Sequence, residues 1–249
     1  MPTELVAHHR EANEFWEQQF QDDLRTGFAE QIHQAMLKIG VPPRLHKAVT
    51  DKVPAPISDL ACWRAFPQRN FGLVGPAGCG KSMALAVQIA QTLRREITEA
   101  GPRHYAPGKD APQQVAPKLK TEWRWICWPA YAIRMRGLSA RRLWDDQDAS
   151  TNVLITWLTT SPSTRVLILD DVGEEGFKES RTYTNEQLEL LLDEAYGYEC
   201  RLFWTSNHKV QELDSPQRYD TRLVSRLIGL APDVVLPDTM PDLRIRNIV

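Results

Sequence analysis

Gly75, Pro76, Ala77, Gly78, Cys79, Gly80, Lys81 and Ser82 follow one another in the order of a loop that wraps a chain of phosphates. Glycines at 75, 78 and 80 let the backbone curl until successive N–H groups point at anionic oxygens, and the positive end of a following helix adds to the field. Lys81 reaches the outer phosphates. The Ser82 hydroxyl is a candidate magnesium ligand, because magnesium keeps most of its waters and takes few protein groups when a nucleotide is present. A glycine-rich turn can also be a plain connection between a strand and a helix. The context favours chemistry: Phe71 to Val74 reads as an apolar strand before the loop, and Met83, Ala86, Val87, Ala90, Leu93 and Ile97 recur at helical spacing behind it.

A second set of candidates lies downstream. Arg165 to Asp171 is an apolar strand ending in two carboxylates, as expected of a central parallel strand whose C-terminal end faces a ligand. Asp170 is assigned to the magnesium shell and Asp171 to orienting water, since neighbouring residues at a strand tip point apart. Arg201 to Asn207 gives a further strand with polar residues at its tip. There Asn207 either holds the attacking water, senses the terminal phosphate, or is an ordinary turn residue. Arg222 and Arg226 sit four apart and share a helix face, with Leu223 and Leu227 on the adjacent one. Such a pair is either a solvated face or, in an oligomeric ATPase, an arginine reaching a neighbour's phosphoryl group.

The elements that must carry these groups alternate strand and helix, which predicts a doubly wound α/β sheet. Trp123 to Trp128 reads as a strand, followed by helix carrying Arg134, Arg136, Arg141 and Arg142. Thr184 and Gln187 have capping-box spacing ahead of Leu188, Leu191, Leu192 and Ala195. With 249 residues, 42% hydrophobic and 25% charged, the chain has room for one full core plus an appendage. Its net charge of −2 excludes a generally basic nucleic-acid binder and leaves room for a local basic surface. Cys62, Cys79, Cys127 and Cys200 are scattered without paired spacing, so buried thiols are expected rather than a zinc site or disulfides. No apolar h-region or long apolar run is present, and a cytoplasmic protein without membrane association is expected.

Two regions frame this core. Residues 1–39 are acidic, with an apolar stripe of Phe20, Leu24, Phe28, Ile32, Met36 and Ile39 at mostly four-residue steps. Gly40-Val41-Pro42-Pro43 ends that helical stretch, which either packs on its own domain or grips a partner. Residues 100–121 carry Pro102, Pro107, Pro112 and Pro117 and are expected to be a surface insertion.

Taken in order, GPAGCGKS, VLILDDVG, WTSN and RLVSRLIG resemble the AAA+ ATPases of the DnaC/IstB-like group, over roughly residues 40–249. Gly40 to Leu45 is similar to the segment entering the ATPase domain of that group, and Asp242 to Arg246 to a short closing strand. The resemblance implies an AAA+ P-loop NTPase, an α/β fold with a central parallel sheet flanked by helices, preceded by a small helical N-terminal region at 1–39. It implies ATP and Mg2+ as cofactors. It makes residues 75–83 the nucleotide loop, with Lys81 and Ser82 the Walker A pair, Asp170 and Asp171 the Walker B pair, and Asn207 the sensor-1 residue. Arg226 becomes the arginine finger, with Arg222 as fallback.

What the resemblance implies about activity is ATP hydrolysis by a homo-oligomer that loads a hexameric replicative DNA helicase onto single-stranded DNA, the N-terminal region engaging the helicase. Residues Ala130 to Arg142 and Phe177 to Thr184 would face the DNA. An IstB-like transposition helper shares the same motifs, and a small-molecule P-loop kinase is the alternative from another class.

Overall fold

The computed structural model describes residues 30–49, 68–99, 120–141, 151–160, 164–174 and 181–240, together with residues 57, 66 and 242. A helix over residues 30–39 (α1) and a 3-10 segment over Pro43–Val49 lead towards the first strand, β1 (Phe71–Val74). Then follow α2 (Lys81–Glu99), β2 (Thr121–Cys127), α3 (Trp128–Arg141), α4 (Thr151–Thr160) and β3 (Thr164–Asp170). The chain continues through α5 (Arg181–Gly197), β4 (Arg201–Ser206), α6 (Val210–Leu213), α7 (Thr221–Leu230) and β5 (Asp233–Val235).

The five strands form one sheet in the order β2-β3-β4-β1-β5, and every pairing is parallel. Parallel strands need crossovers, and α2, α5 and the α3/α4 pair supply them, so both faces of the sheet are covered. Side-chain alternation sorts the core into two layers. Phe71, Leu73, Val166, Ile168 and Phe203 pack with α1 and α2 on one face. Val74, Leu167, Leu169, Leu202 and Trp204 pack with α3, α4, α5 and α7 on the other. This is the P-loop α/β fold that the motifs imply.

Aromatic contacts hold the first layer: Phe203 lies 4.6 Å from Phe66 and 4.9 Å from Phe71 by ring centroid. Such pairs contribute about 0.5–1.5 kcal/mol beyond the area they bury. On the second face the Trp204 indole lies flat against Gly72, where any Cβ would overlap the ring, and its Nε1 donates to Ala231 O at 2.9 Å. A glycine in mid-strand is thus a packing requirement of the neighbouring strand.

Some boundaries differ from the sequence reading. Trp128 opens α3 instead of ending β2, and Thr121 is the first residue of β2. Helix α5 starts at Arg181, so Thr184 stands inside the first turn, not at its cap, and is 2% exposed. In the acidic N-terminal stripe, Ile32, Met36 and Ile39 are buried with α2 in the first core layer. Phe20, Leu24 and Phe28 lie outside the described residues, as do Cys62 and residues 100–119 of the proline-rich insertion. Among the described residues, no helix is long and apolar enough to cross a membrane.

Candidate functional site

Parallel pairing brings three strand tips together. Val74 pairs with Ser206 and Leu169 with Trp204, so the segments after β1, β3 and β4 leave the same edge of the sheet side by side. Residues 75–80 turn there, with Gly78 and Gly80 at φ of 80° and 95°, a region that side chains disfavour. The loop is fastened by the Gly75 amide donating to Ser206 O at 3.2 Å and the Ala84 amide to Gly80 O at 2.8 Å.

Lys81, the first residue of α2, is 5% exposed. Its Nζ donates to Gly75 O at 2.8 Å, Pro76 O at 2.9 Å and Asn207 Oδ1 at 2.9 Å. Burial lowers its pKa from the ordinary lysine value, against the raising influence of Cys79, Asp171 and Asp170. All three ammonium donors are thereby engaged within the chain, so an anion in the loop would have to take the place of one of these acceptors.

Asp170 ends β3 with no exposed surface. Its Oδ1 accepts from Ser82 Oγ at 2.6 Å and from Thr205 Oγ1 at 2.7 Å. Burial, then the neighbouring Asp171 charge, pushes its carboxyl up to about 6, although both hydroxyl bonds favour the ionised form. The other oxygen, Oδ2, is buried without a hydrogen-bond partner. A buried, half-satisfied carboxylate beside a serine hydroxyl is an oxygen donor set that fits a divalent cation such as magnesium. Asp170 and Ser82 would hold the ion, and it would supply charge neutralisation for phosphate oxygens.

Asp171 adopts φ of 60°, left-handed backbone uncommon outside glycine. Its amide donates to Thr205 Oγ1 at 2.9 Å. That hydroxyl thus receives one bond from Asp171 and gives another to Asp170, fixing the two carboxylate-bearing residues together. The segment beyond is tied to β4 by Val172 N–H to Thr205 O at 2.8 Å and by Ser206 Oγ to Val172 O at 2.7 Å.

Asn207 bridges two charged groups. Its Oδ1 accepts from Lys81, and its Nδ2 donates to Glu174 Oε1 at 3.0 Å. His208 Nε2 lies 3.0 Å from the same Glu174 oxygen. The turn carrying Glu174 is also held by the Gly173 amide donating to the Tyr219 hydroxyl at 3.0 Å and by the Arg218 guanidinium donating to Gly173 O. These contacts join the strand tips to the loop that opens α7.

The structure thus brings Lys81, Ser82, Asp170, Asp171 and Asn207 into one cluster. Arg222 and Arg226 stand apart from it. Asp220 caps α7 by accepting from Leu223 N at 2.8 Å, and Leu223 and Leu227 are buried while the arginines face α5. Arg226 Nη1 meets Glu189 Oε1 at 2.5 Å and Asp193 Oδ2 at 2.8 Å, and Arg222 Nε meets Glu189 Oε1 at 2.9 Å. Both arginines therefore pair within their own chain, Arg222 mostly exposed and Arg226 partly so.

Of the stretches assigned to DNA, Arg134 and Ile133 on α3 are exposed, whereas Ala132 and Met135 are buried. Thr184 is buried in the first turn of α5. Residues 175–180 lie outside the described residues, as do the side chains at 136–141. Cys79 and Cys200 are buried free thiols and Cys127 is a half-buried one, with Cys200 pushed up to about 12 by burial.

Sequence reading missed Thr205, Glu174, Arg218 and Tyr219. Thr205 left a signal: it is a polar residue in an otherwise apolar strand, two positions before Asn207. Tyr219 and Arg218 left none, because they act across the fold through the turn at Gly173.

No family model matches the chain, and no curated protein matches it. Similar solved structures include the DnaC helicase loader, at 18% identity and a TM-score of 0.42 over 78% of this chain and 86% of that one. DnaI is 19% identical with a TM-score of 0.42, over 78% of this chain and 81% of that one. AMPPCP-bound DnaA from Aquifex aeolicus is 19% identical with a TM-score of 0.48, over 79% of this chain and 51% of that one. The fold assignment itself rests on this chain's strand order and phosphate-type loop.

Proposed function

We propose that the chain is an AAA+ ATPase of the DnaC/IstB-like group, binding ATP with Mg2+ and loading a hexameric replicative DNA helicase onto single-stranded DNA. The observation that carries the nucleotide part is the junction of Lys81 with Asn207 and of Ser82 with Asp170, four residues from three segments of sequence at one sheet edge. A lysine over a curled loop, a hydroxyl and a buried carboxylate match what a magnesium triphosphate requires. Asn207 and Asp171, at the tips of two neighbouring strands, would orient an attacking water, and electrostatic positioning is most of what phosphoryl transfer asks of a protein.

The order of the motifs supports a loader, and an exchange of phosphate-dependent contacts between subunits would make ATP its switch. Oligomerisation would bring Arg226, or Arg222 in its place, to a neighbour's loop. The N-terminal region 1–39 would engage the helicase through residues other than Ile32, Met36 and Ile39, which pack in the core.

Capture of a replicative helicase by the full chain, compared between ATP and ADP, tests the loader reading. Retention in one nucleotide state is expected, and absence of retention in both would remove it. ATP-dependent assembly on duplex in preference to single-stranded DNA would point to the transposition helper. Turnover that requires a small-molecule phosphate acceptor, and that does not rise with protein concentration, would point to a kinase.

A further inference from the structure

The segment leaving β5 runs across the phosphate loop. The Leu236 amide donates to Val74 O at 2.7 Å, and a Cβ built on Gly75 would come within 2.8 Å of Leu236 Cβ. Asp238 pairs with Lys209 at 2.9 Å. The Met240 amide closes a turn on Pro237 O at 3.0 Å, and its side chain packs on the first core layer, as Met83 does. Asp242 then sets its carboxylate against Gly78, so closely that a Cβ at Gly78 would overlap both carboxylate oxygens.

Gly78 lies at the bend of a loop whose geometry suits anions, and the group seated on it is an anion. A carboxylate and a phosphate are both negatively charged, so a phosphate entering the loop would be repelled by a carboxylate lying against Gly78. Leu236, 1% exposed, anchors the start of the strap in the first core layer, and the contacts beyond it are modest. The strap's ion pair, between Lys209 and Asp238, is largely solvent-exposed, and exposed pairs contribute little.

We infer that Asp242 is an autoinhibitory anion: its carboxylate occupies the phosphate loop in the nucleotide-free chain, and nucleotide phosphates displace it together with the turn at 237–240. This rests on the nucleotide reading of the loop. Binding then carries a conformational cost, because the apparent affinity is reduced by the fraction of molecules whose loop is open.

The test measures binding of ADP and of inorganic pyrophosphate, which has no base, to the full chain and to Asp242→Asn. A strap seated nine-tenths of the time predicts about tenfold tighter binding of both ligands by the variant. Glu99→Gln, at the far end of α2, changes the net charge equally and should leave both affinities unaltered. Unchanged or weaker binding by Asp242→Asn, or equal tightening by Glu99→Gln, overturns the inference while leaving the nucleotide site intact. Absence of binding by both the native chain and Asp242→Asn removes the nucleotide reading and this inference with it.

A second measurement needs no variant. Amide hydrogen exchange at Met240, whose N–H closes the turn on Pro237 O, should accelerate when ADP is added to the native chain. Slower exchange there would mean that nucleotide tightens the strap, and the inference would fail.

Discussion

Lys81 Nζ lies 2.9 Å from Asn207 Oδ1, across 126 residues of sequence. The amide oxygen takes the ammonium and the amide nitrogen takes Glu174, so the Asn207 side chain has one orientation set by charge at both ends. On the proposed nucleotide reading, an Asn that links Lys81 to an acid would act in turnover more than in nucleotide affinity.

Replacing Asn207 by Ala is therefore expected to lower ATP turnover by about a hundredfold, the scale of losing one preorganised polar contact at a reacting phosphate. Nucleotide affinity should change by no more than about threefold, since the loop and Lys81 still hold the phosphates. Steady-state kinetics alongside equilibrium binding separates the two. An equal loss in affinity would make Asn207 a binding residue only.

Thr205 connects Asp170 and Asp171, and its removal should be felt as stability. In Thr205→Val, the Asp171 amide loses its partner and Asp170 Oδ1 keeps only Ser82, at nearly constant volume. Leaving a buried polar group unpaired costs about 1–3 kcal/mol. Urea unfolding of the nucleotide-free chain should show that loss, and Thr205→Ser, which keeps the hydroxyl, should recover most of it.

The alternation of strands and helices and the glycine loop were legible because they depend on local pattern: an apolar run, glycines at fixed spacing, a helical stripe, then two further strands with polar tips. Asp170 was legible for the same reason. What the sequence did not disclose was long-range. Thr205 gains its role only when parallel register sets β4 beside β3, and Tyr219 and Arg218 only when the α7 loop folds back onto Gly173. The start of α5 was misplaced because Thr184 has the chemistry of a cap but is buried in the helix's first turn. The arginine pair was correctly put on one helical face, yet no local pattern announced the α5 carboxylates that face it.

Asp170 gives the nucleotide-free chain a pH signature. Its carboxyl is raised from 3.8 to about 6, so the folded state binds the proton more tightly than the unfolded state does. The stability it contributes is fully present below about pH 4 and is lost as pH rises through 6. At 1.36 kcal/mol per unit the loss is about 3 kcal/mol. The difference in unfolding free energy between the native chain and Asp170→Asn, measured without magnesium, should move in that direction across this window. A difference that stays flat would show that Asp170 titrates at an ordinary value.

The pairing of Arg226 with Glu189 and Asp193 sets the last expectation. Both contacts use Nη1, and the side chain is 29% exposed, so the guanidinium is positioned by its own α5 while part of it still faces outward. If that outward part completes a neighbour's site, Arg226→Ala should bind nucleotide normally and lose turnover by about 10³-fold or more, as expected of a finger supplied in trans. Lys81→Ala should lose turnover for the opposite reason, retaining its arginine but not its loop. Mixing the two inactive proteins creates interfaces that pair an intact loop from one with an intact arginine from the other, and activity should return. Failure of the mixture, with both variants still folded and assembling, would place the finger elsewhere. The same experiment with Arg222→Ala shows whether the more exposed arginine takes that role.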